Sequence, residues 1–296
     1  MNESNKAKLR KNENIGDKLV ISYTVDSFAN GIAFGQSKLE SSSDPRDVFA
    51  LRLQDDVEAL RLRSRYVFHK ENPLHELEKS LMRLSNQGIL HSATIYFGVT
   101  TDPFLPFESK FDASMKFLDL FQRYTPGMLI VQTRSPLIVL ALPVLKRLGR
   151  HASVTIGIET PCEDVVRHYT PALPRVSERL KTVKALRKFG IEVTLQVHPV
   201  LPYGEWREDA KSFAKLLVEN GDFLHVKALS DGSEQLERQL KASEIVRKLA
   251  HDRCFYYLRR DAAVPLINEI EAIASDKLFM PQRLHLKPKQ IEFFAA

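Results

Sequence analysis

The sequence predicts an α/β protein, a partial (β/α)6 barrel of the TIM-like kind, carrying an irregular, α-rich C-terminal extension. Three observations lead there. β-Branched apolar runs alternate with helical patterns from Leu19 to Lys227, as in a parallel sheet covered by crossover helices. No Gly-x-Gly-x-x-Gly follows the first run, which disfavours a dinucleotide-binding, doubly wound sheet. Polar residues recur where each run ends, and in barrels that end of the strand carries the ligand site.

The stretch from Ala93 to Lys110 shows the unit most clearly. An apolar run, Ala93 to Val99, breaks at Thr100-Thr101-Asp102-Pro103, and a helical pattern starts near Phe111. Proline fixes its own φ and pushes Asp102 out of the helical region, so the strand stops in a turn. Before it, Leu19 to Tyr23 reads as a short strand, followed by a turn-rich loop. Leu74, Leu77, Leu81 and Leu84 mark a helix with proline in its first turn and Gly88 behind it. After it come a strand at Met128 to Gln132 and a helix from Leu137 to Leu148. A strand from Ser153 to Ile158 and a basic helix over 175–189 follow. Then come a strand from Ile191 to Val197, a helix over 207–219 and a strand from Phe223 to Lys227. These strands read as continuously apolar and buried on both faces. Beyond residue 230, Gln235 to Ala250 and Ala263 to Ile273 read as helices and Phe255 to Leu258 as a strand. The organisation predicted is a disordered tail over 1–17, the barrel over 18–229, and an extension over 230–296 packed on it.

Composition narrows the classes. Apolar residues at 44% and charged residues at 27% are ordinary for a globular chain. No apolar run reaches the roughly 18–20 residues needed to cross a bilayer, and the lysine-rich N-terminus has no signal-peptide pattern. The two cysteines, Cys162 and Cys254, stand far apart, which fits a reducing cytoplasm rather than a disulfide framework. The net charge of +6 is compatible with a polyanionic partner such as nucleic acid. Arg167, Arg175, Arg179, Lys181, Lys184, Arg187 and Lys188 gather around one helix, with Tyr203 and Trp206 beyond the next strand. No zinc-finger spacing, RNP motif or phosphate loop accompanies them.

Candidate ligand-binding residues sit at the strand ends and just after them: Thr100, Thr101, Asp102 and Glu108; Thr133, Arg134 and Ser135; Glu159 and Thr160; His198 and Tyr203. In a barrel these converge on one mouth. Helix capping is the competing role for the serines, threonines and Asp102. Asp102, Glu159 and His198 would suit a divalent metal or acid–base chemistry, and Arg134 a carboxylate or phosphate. Lys227 closes the last strand, and Cys162 reads as a small buried residue.

Four segments carry a resemblance. GVTTDPFLPFE (98–108), QTRSPLIVLALPVLKRL (132–148), GIETPCEDVV onward to GIEV (157–193) and VHPVLPYGE (197–205) together resemble the radical S-adenosylmethionine proteins of the spore photoproduct lyase branch, often described as DNA-repair-photolyase-like. The resemblance covers residues 90–205. It implies a radical SAM barrel, with 97–102 near the amino acid part of S-adenosylmethionine, Glu159-Thr160 near its ribose and 197–202 near its adenine. The family places three cysteines, spaced Cys-x-x-x-Cys-x-x-Cys, in the loop after the first strand. Here Asp26, Asn30 and Ala33 stand in the corresponding positions of the segment Tyr23 to Phe34. Alanine ligates nothing, and oxygen ligands do not replace thiolates on a [4Fe–4S] cluster. The expectation is therefore no cluster and no resident metal. The protein reads as a pseudo-enzyme that takes a protein partner, nucleic acid or a small ligand at the barrel mouth, S-adenosylmethionine among the ligands. Two alternatives stay open: a non-radical, metal- or acid–base-dependent enzyme reusing the barrel, and, if the cluster loop is misread at 23–34, a DNA-repair-related lyase-like enzyme.

Overall fold

The first strand does not run into a loop. Ser22–Phe28 (β1) turns back as Gly31–Ser37 (β2), paired antiparallel so that Val25 faces Phe34 and Asp26 faces Ala33. A two-residue strand, Phe68–His69 (β3), pairs with the outer side of β2. Strands Thr94–Phe97 (β4), Met128–Thr133 (β5), Ala152–Gly157 (β6), Glu192–Val197 (β7) and Phe223–Val226 (β8) then add one after another, each parallel to its neighbour. Because β1 also pairs parallel with β4, six strands share one direction, and β2 and β3 form an antiparallel margin. A computed structural model describes residues 22–28, 31–37, 68–69, 72–99, 101–104, 108–230 and 243–278. The expected tail over 1–17 and the positions Asn30 and Thr100 lie outside them.

Strand order in the eight-stranded sheet is β3-β2-β1-β4-β5-β6-β7-β8. The parallel strands never reverse direction of growth. With right-handed crossovers, such an order places successive helices on one face, unlike a doubly wound sheet. Among the described residues the sheet runs open from β3 to β8, so the arrangement is a singly wound α/β sheet.

Eight α-helices occur among the described residues: Pro73–Asn86 (α1), Glu108–Arg123 (α2), Leu142–Leu148 (α3), Glu163–Tyr169 (α4), Val176–Lys188 (α5), Ala210–Asn220 (α6), Glu244–His251 (α7) and Val264–Ala274 (α8). Local chemistry explains their ends. Asn72 accepts a hydrogen bond from the backbone N–H of His75 at 3.2 Å and caps α1, with Pro73 in the first turn. The Glu163 carboxylate accepts from the N–H groups of Val176 and Ser177 at 3.0 and 2.8 Å, so the start of α4 caps the start of α5.

Alternation along the strands decides the core. Ile95, Phe97, Leu129, Val131, Val154, Ile156, Val193, Leu195 and Leu224 are all buried on one face. They join Leu81, Phe121, Leu145, Leu186, Leu217 and Ile270 from the helices in one apolar cluster. Phe97 and Phe121 meet with ring centroids 6.5 Å apart. The expectation of continuously apolar strands is corrected here. Ser153, Thr155, Gln132, Gln196 and His225 occupy the opposite face and are buried there.

Other expectations shift as well. The stretch read as one helix from Leu137 to Leu148 is a 3-10 segment, Pro136–Ala141, followed by α3. Phe255–Leu258 is a 3-10 turn rather than a strand. The helix expected from Gln235 is described only as α7, and residues 231–242 lie outside the described set. Lys277 donates to the carbonyls of Val218 and Gly221 at 2.7 and 2.9 Å, tying the chain after α8 to the end of α6.

Candidate functional site

Several of the strand-end residues are bonded to one another. Asp102 Oδ1 accepts hydrogen bonds from Thr133 Oγ1 at 2.7 Å and from the Phe104 N–H at 3.0 Å. Asp102 Oδ2 accepts from the Arg134 N–H at 2.8 Å. The carboxylate thus fastens the loop after β4 to the end of β5. Gly98 permits that approach. Its φ is +89°, and a Cβ there would fall 2.6 Å from both the Gln132 carbonyl oxygen and Pro103 Cδ. Thr133 Oγ1 in turn accepts from the Ser135 N–H at 2.9 Å, and Ser135 Oγ from the Leu137 N–H at 3.3 Å. Ser135 is therefore the cap of the 3-10 segment, the competing role weighed for it.

One buried charge cluster dominates the region. Glu159, 1% exposed, accepts from Arg134 Nε at 2.6 Å on Oε1 and from Arg179 Nη1 at 2.7 Å on Oε2. Arg179 Nη1 also donates to the Gly157 carbonyl at 2.6 Å. Burial alone would raise the Glu159 carboxyl, but the guanidiniums of Arg134 and Arg179 outweigh it and hold it down at about 2. Gly157 leaves the room: a Cβ on it would meet Glu159 Oε1 at 2.7 Å and Arg134 Nε at 2.8 Å. The cluster carries two guanidiniums against one carboxylate.

The next loops continue the belt. Thr160 Oγ1 donates to the Pro202 carbonyl at 2.6 Å and accepts from the Cys162 N–H at 3.2 Å. The Leu201 N–H bonds the Glu159 carbonyl at 2.9 Å, and the Val200 N–H bonds the Lys227 carbonyl at 3.1 Å. His198 sits edge-on to His225, ring centroids 6.2 Å apart. Tyr203 is buried and packs against Tyr257 and Phe213 at 5.8 and 5.4 Å. Its hydroxyl donates to the Trp206 carbonyl at 3.2 Å, and burial pushes it far above the ordinary tyrosine value. Thr101 is buried and Glu108 opens α2. Asp102, Glu159 and His198 do not form a metal set; among the described residues no group of three or more His, Cys, Asp or Glu could hold an ion.

Two corrections concern the positions read from sequence. Asp26 and Ala33 face each other across the antiparallel strands β1 and β2, where a turn-rich loop was expected. Arg179, counted with the basic surface helix, is fully buried. Its position was legible, since Val176, Arg179, Val183 and Leu186 follow helical spacing on the inward face of α5. Of the remaining cations there, Arg167 pairs with Asp164 and Arg187 with Asp222. Arg175, Lys181, Lys184 and Lys188 are exposed. Trp206 is stacked on Tyr256 at 4.1 Å, and the Arg207 guanidinium lies over its ring at 4.6 Å.

A second polar group joins α4 to the segment after α7. Asp252 Oδ2 lies 2.6 Å from His168 Nε2 and accepts from the Tyr169 hydroxyl at 2.8 Å. Those bonds hold the Asp252 carboxyl below its ordinary value.

No family model matches the chain. Over 142 residues it is 25% identical to the uncharacterized protein ORF301 of Acidianus two-tailed virus, a match covering 44% of this chain and 46% of the viral protein. Two solved structures of spore photoproduct lyase variants, a cysteine-to-serine and a tyrosine-to-phenylalanine mutant, are similar at a TM-score of 0.45 and 13% identity. Each covers 61% of this chain, which spans 52% of theirs, and it thus spans about half the length of the proteins it matches. No described helix is long and apolar enough to cross a membrane.

Proposed function

We propose that the protein is a radical SAM-like binding protein that takes a small ligand at the carboxyl edge of its parallel sheet, with S-adenosylmethionine the first ligand to try. The four motif segments motivate the choice of ligand. The observation that carries the binding role is the state of the strand-end groups. Asp102, Thr133, Arg134, Glu159 and Thr160 each already hold a named group of the protein, so they form a preorganised rim rather than a free acid and base.

A [4Fe–4S] cluster does not fit the donor set at the first strand. Asp26 stands opposite Ala33 in paired strands, and the two cysteines are at 162 and 254. Calorimetric titration with S-adenosylmethionine, beside iron analysis of an anaerobic preparation, tests the reading. Saturable binding without iron is expected. Iron at cluster stoichiometry would overturn it.

Nucleic acid is the second reading, favoured by the exposed Arg175 at the start of α5 and the exposed Lys181, Lys184 and Lys188 on it. Binding there would weaken steeply with salt, because each neutralised phosphate releases counterions. A DNA titration at two salt concentrations separates the two readings, and a protein partner would be sought if both fail.

A further inference from the structure

The outer face of α5 carries a feature that the strand-end rim does not absorb. Val176, Arg179, Thr182, Val183 and Leu186 turn inward and are buried. Lys181, Lys184 and Lys188 recur at helical spacing on the opposite side and are exposed. Between Arg179 and Phe189 the chain holds no acidic residue. The acids beside the stripe are occupied: Glu178 accepts from the Arg175 N–H at 3.1 Å, and Asp222 pairs with Arg187 at 3.0 Å. Among the described residues no carboxylate pairs with Lys181, Lys184 or Lys188.

A lysine stripe alone is an ordinary solvated face. Two apolar side chains set this one apart. Phe189 closes α5 with 49% of its surface exposed, and Lys146 from α3 lies over its ring, Nζ 5.3 Å from the centroid. Lys146 is itself exposed and has no ion pair among the described residues. Leu140, 54% exposed, belongs to the 3-10 segment that packs along α5.

We infer that this face docks on an anionic lipid surface, with the lysines among the headgroups and Phe189 and Leu140 entering the interfacial layer. The two ingredients decide the partner's chemistry. Unpaired lysines are drawn to a bilayer that carries acidic lipids, over about a Debye length. Exposed phenylalanine and leucine gain by leaving water only where the partner is apolar beneath its charge. Duplex DNA supplies the phosphates but no apolar layer for the ring. The outer face of a helix is convex, so it suits a broad surface rather than a segment laid in a groove. Docking of this kind requires no membrane-crossing helix.

The full-length protein is sedimented with vesicles of phosphatidylcholine mixed with phosphatidylserine, and with vesicles of phosphatidylcholine alone. It should bind the mixed vesicles about tenfold or more tighter, and high salt should abolish the preference. Phe189→Ser and the double variant Lys184→Gln, Lys188→Gln should each weaken binding to mixed vesicles several-fold. Thermal midpoints should stay near that of the unaltered protein, because all three side chains are exposed. The comparison of the two vesicles on the unaltered protein stands even if a variant fails to fold. Equal binding to both kinds of vesicle, or binding to neither, overturns the inference. So does mixed-vesicle binding that Phe189→Ser leaves unchanged. Duplex DNA is titrated alongside, and DNA binding without vesicle binding overturns the inference and assigns the face to nucleic acid. Binding of S-adenosylmethionine at the strand ends is measured separately, and none of these outcomes bears on it.

Discussion

Glu159 lies between Arg134 and Arg179 at 2.6 and 2.7 Å, all three side chains at most 2% exposed. A charge taken so far out of water is tolerable only because its partners came with it, and removing one partner strands the others. Glu159→Gln leaves two guanidiniums on an amide and should cost about 3–5 kcal/mol, read from the urea midpoint at pH 7. The pH dependence has a definite sign. The carboxyl is depressed from 4.5 to about 2, so its contribution is fully present above 4.5 and is lost as pH falls toward 2. The deficit of Glu159→Gln should therefore shrink by roughly 3 kcal/mol on acidification through that window. A deficit that stays constant down to pH 2.5 would mean that the ion pairs contribute nothing specific.

At the scale of elements, strands β4 to β8 and most of the longer helices between them were legible because hydrophobic period and turn chemistry agreed along the chain. Thr94–Phe97 and Glu192–Val197 fall within or one residue from the apolar runs that announced them. Much of what escaped depends on a neighbour distant in sequence. The hairpin of β1 and β2 escaped because its second strand, GIAFGQS, carries two glycines and a serine, and only pairing with β1 makes it a strand. The short α4 escaped too, although Glu163 and Asp164 in its first turn are a start signal. Strand-end residues were found by position, but not their mutual bonds, since sequence spacing does not say that Arg134 meets Glu159. Gly157 shows how a strand end is shaped for that meeting. Gly157→Ala should cost about 1–3 kcal/mol, because the new Cβ overlaps Glu159 Oε1 and Arg134 Nε. Combined with Glu159→Gln the loss should fall short of the sum, since both act on one cluster. Strict additivity in thermal unfolding would show that the glycine serves something else.

For the whole molecule, the region after residue 243 shares the core with the sheet. Ile245, Leu249, Tyr257, Leu266 and Ile270 are all buried in the same apolar cluster as Leu195 and Leu217. Polar ties reinforce the apolar ones. The Tyr203 N–H reaches the Tyr257 hydroxyl at 3.3 Å, Asp252 holds His168 and Tyr169, and Lys277 bonds two carbonyls at the end of α6. Fully burying each large apolar side chain is worth roughly 1.5–3 kcal/mol, so five of them exceed the net stability of many domains. A chain ending at Ser230 would expose Tyr203, Phe213 and Leu217 and leave the Asp252 and Lys277 ties unmade. Such a truncation should lose its cooperative thermal transition and bind a hydrophobic dye at room temperature, whereas the full chain should unfold in one transition. If instead the shortened chain melts cooperatively at the same temperature as the whole, the sheet and its preceding helices are self-sufficient. The last two α-helices would then be a covering layer, free to be lost without disturbing the strand-end rim.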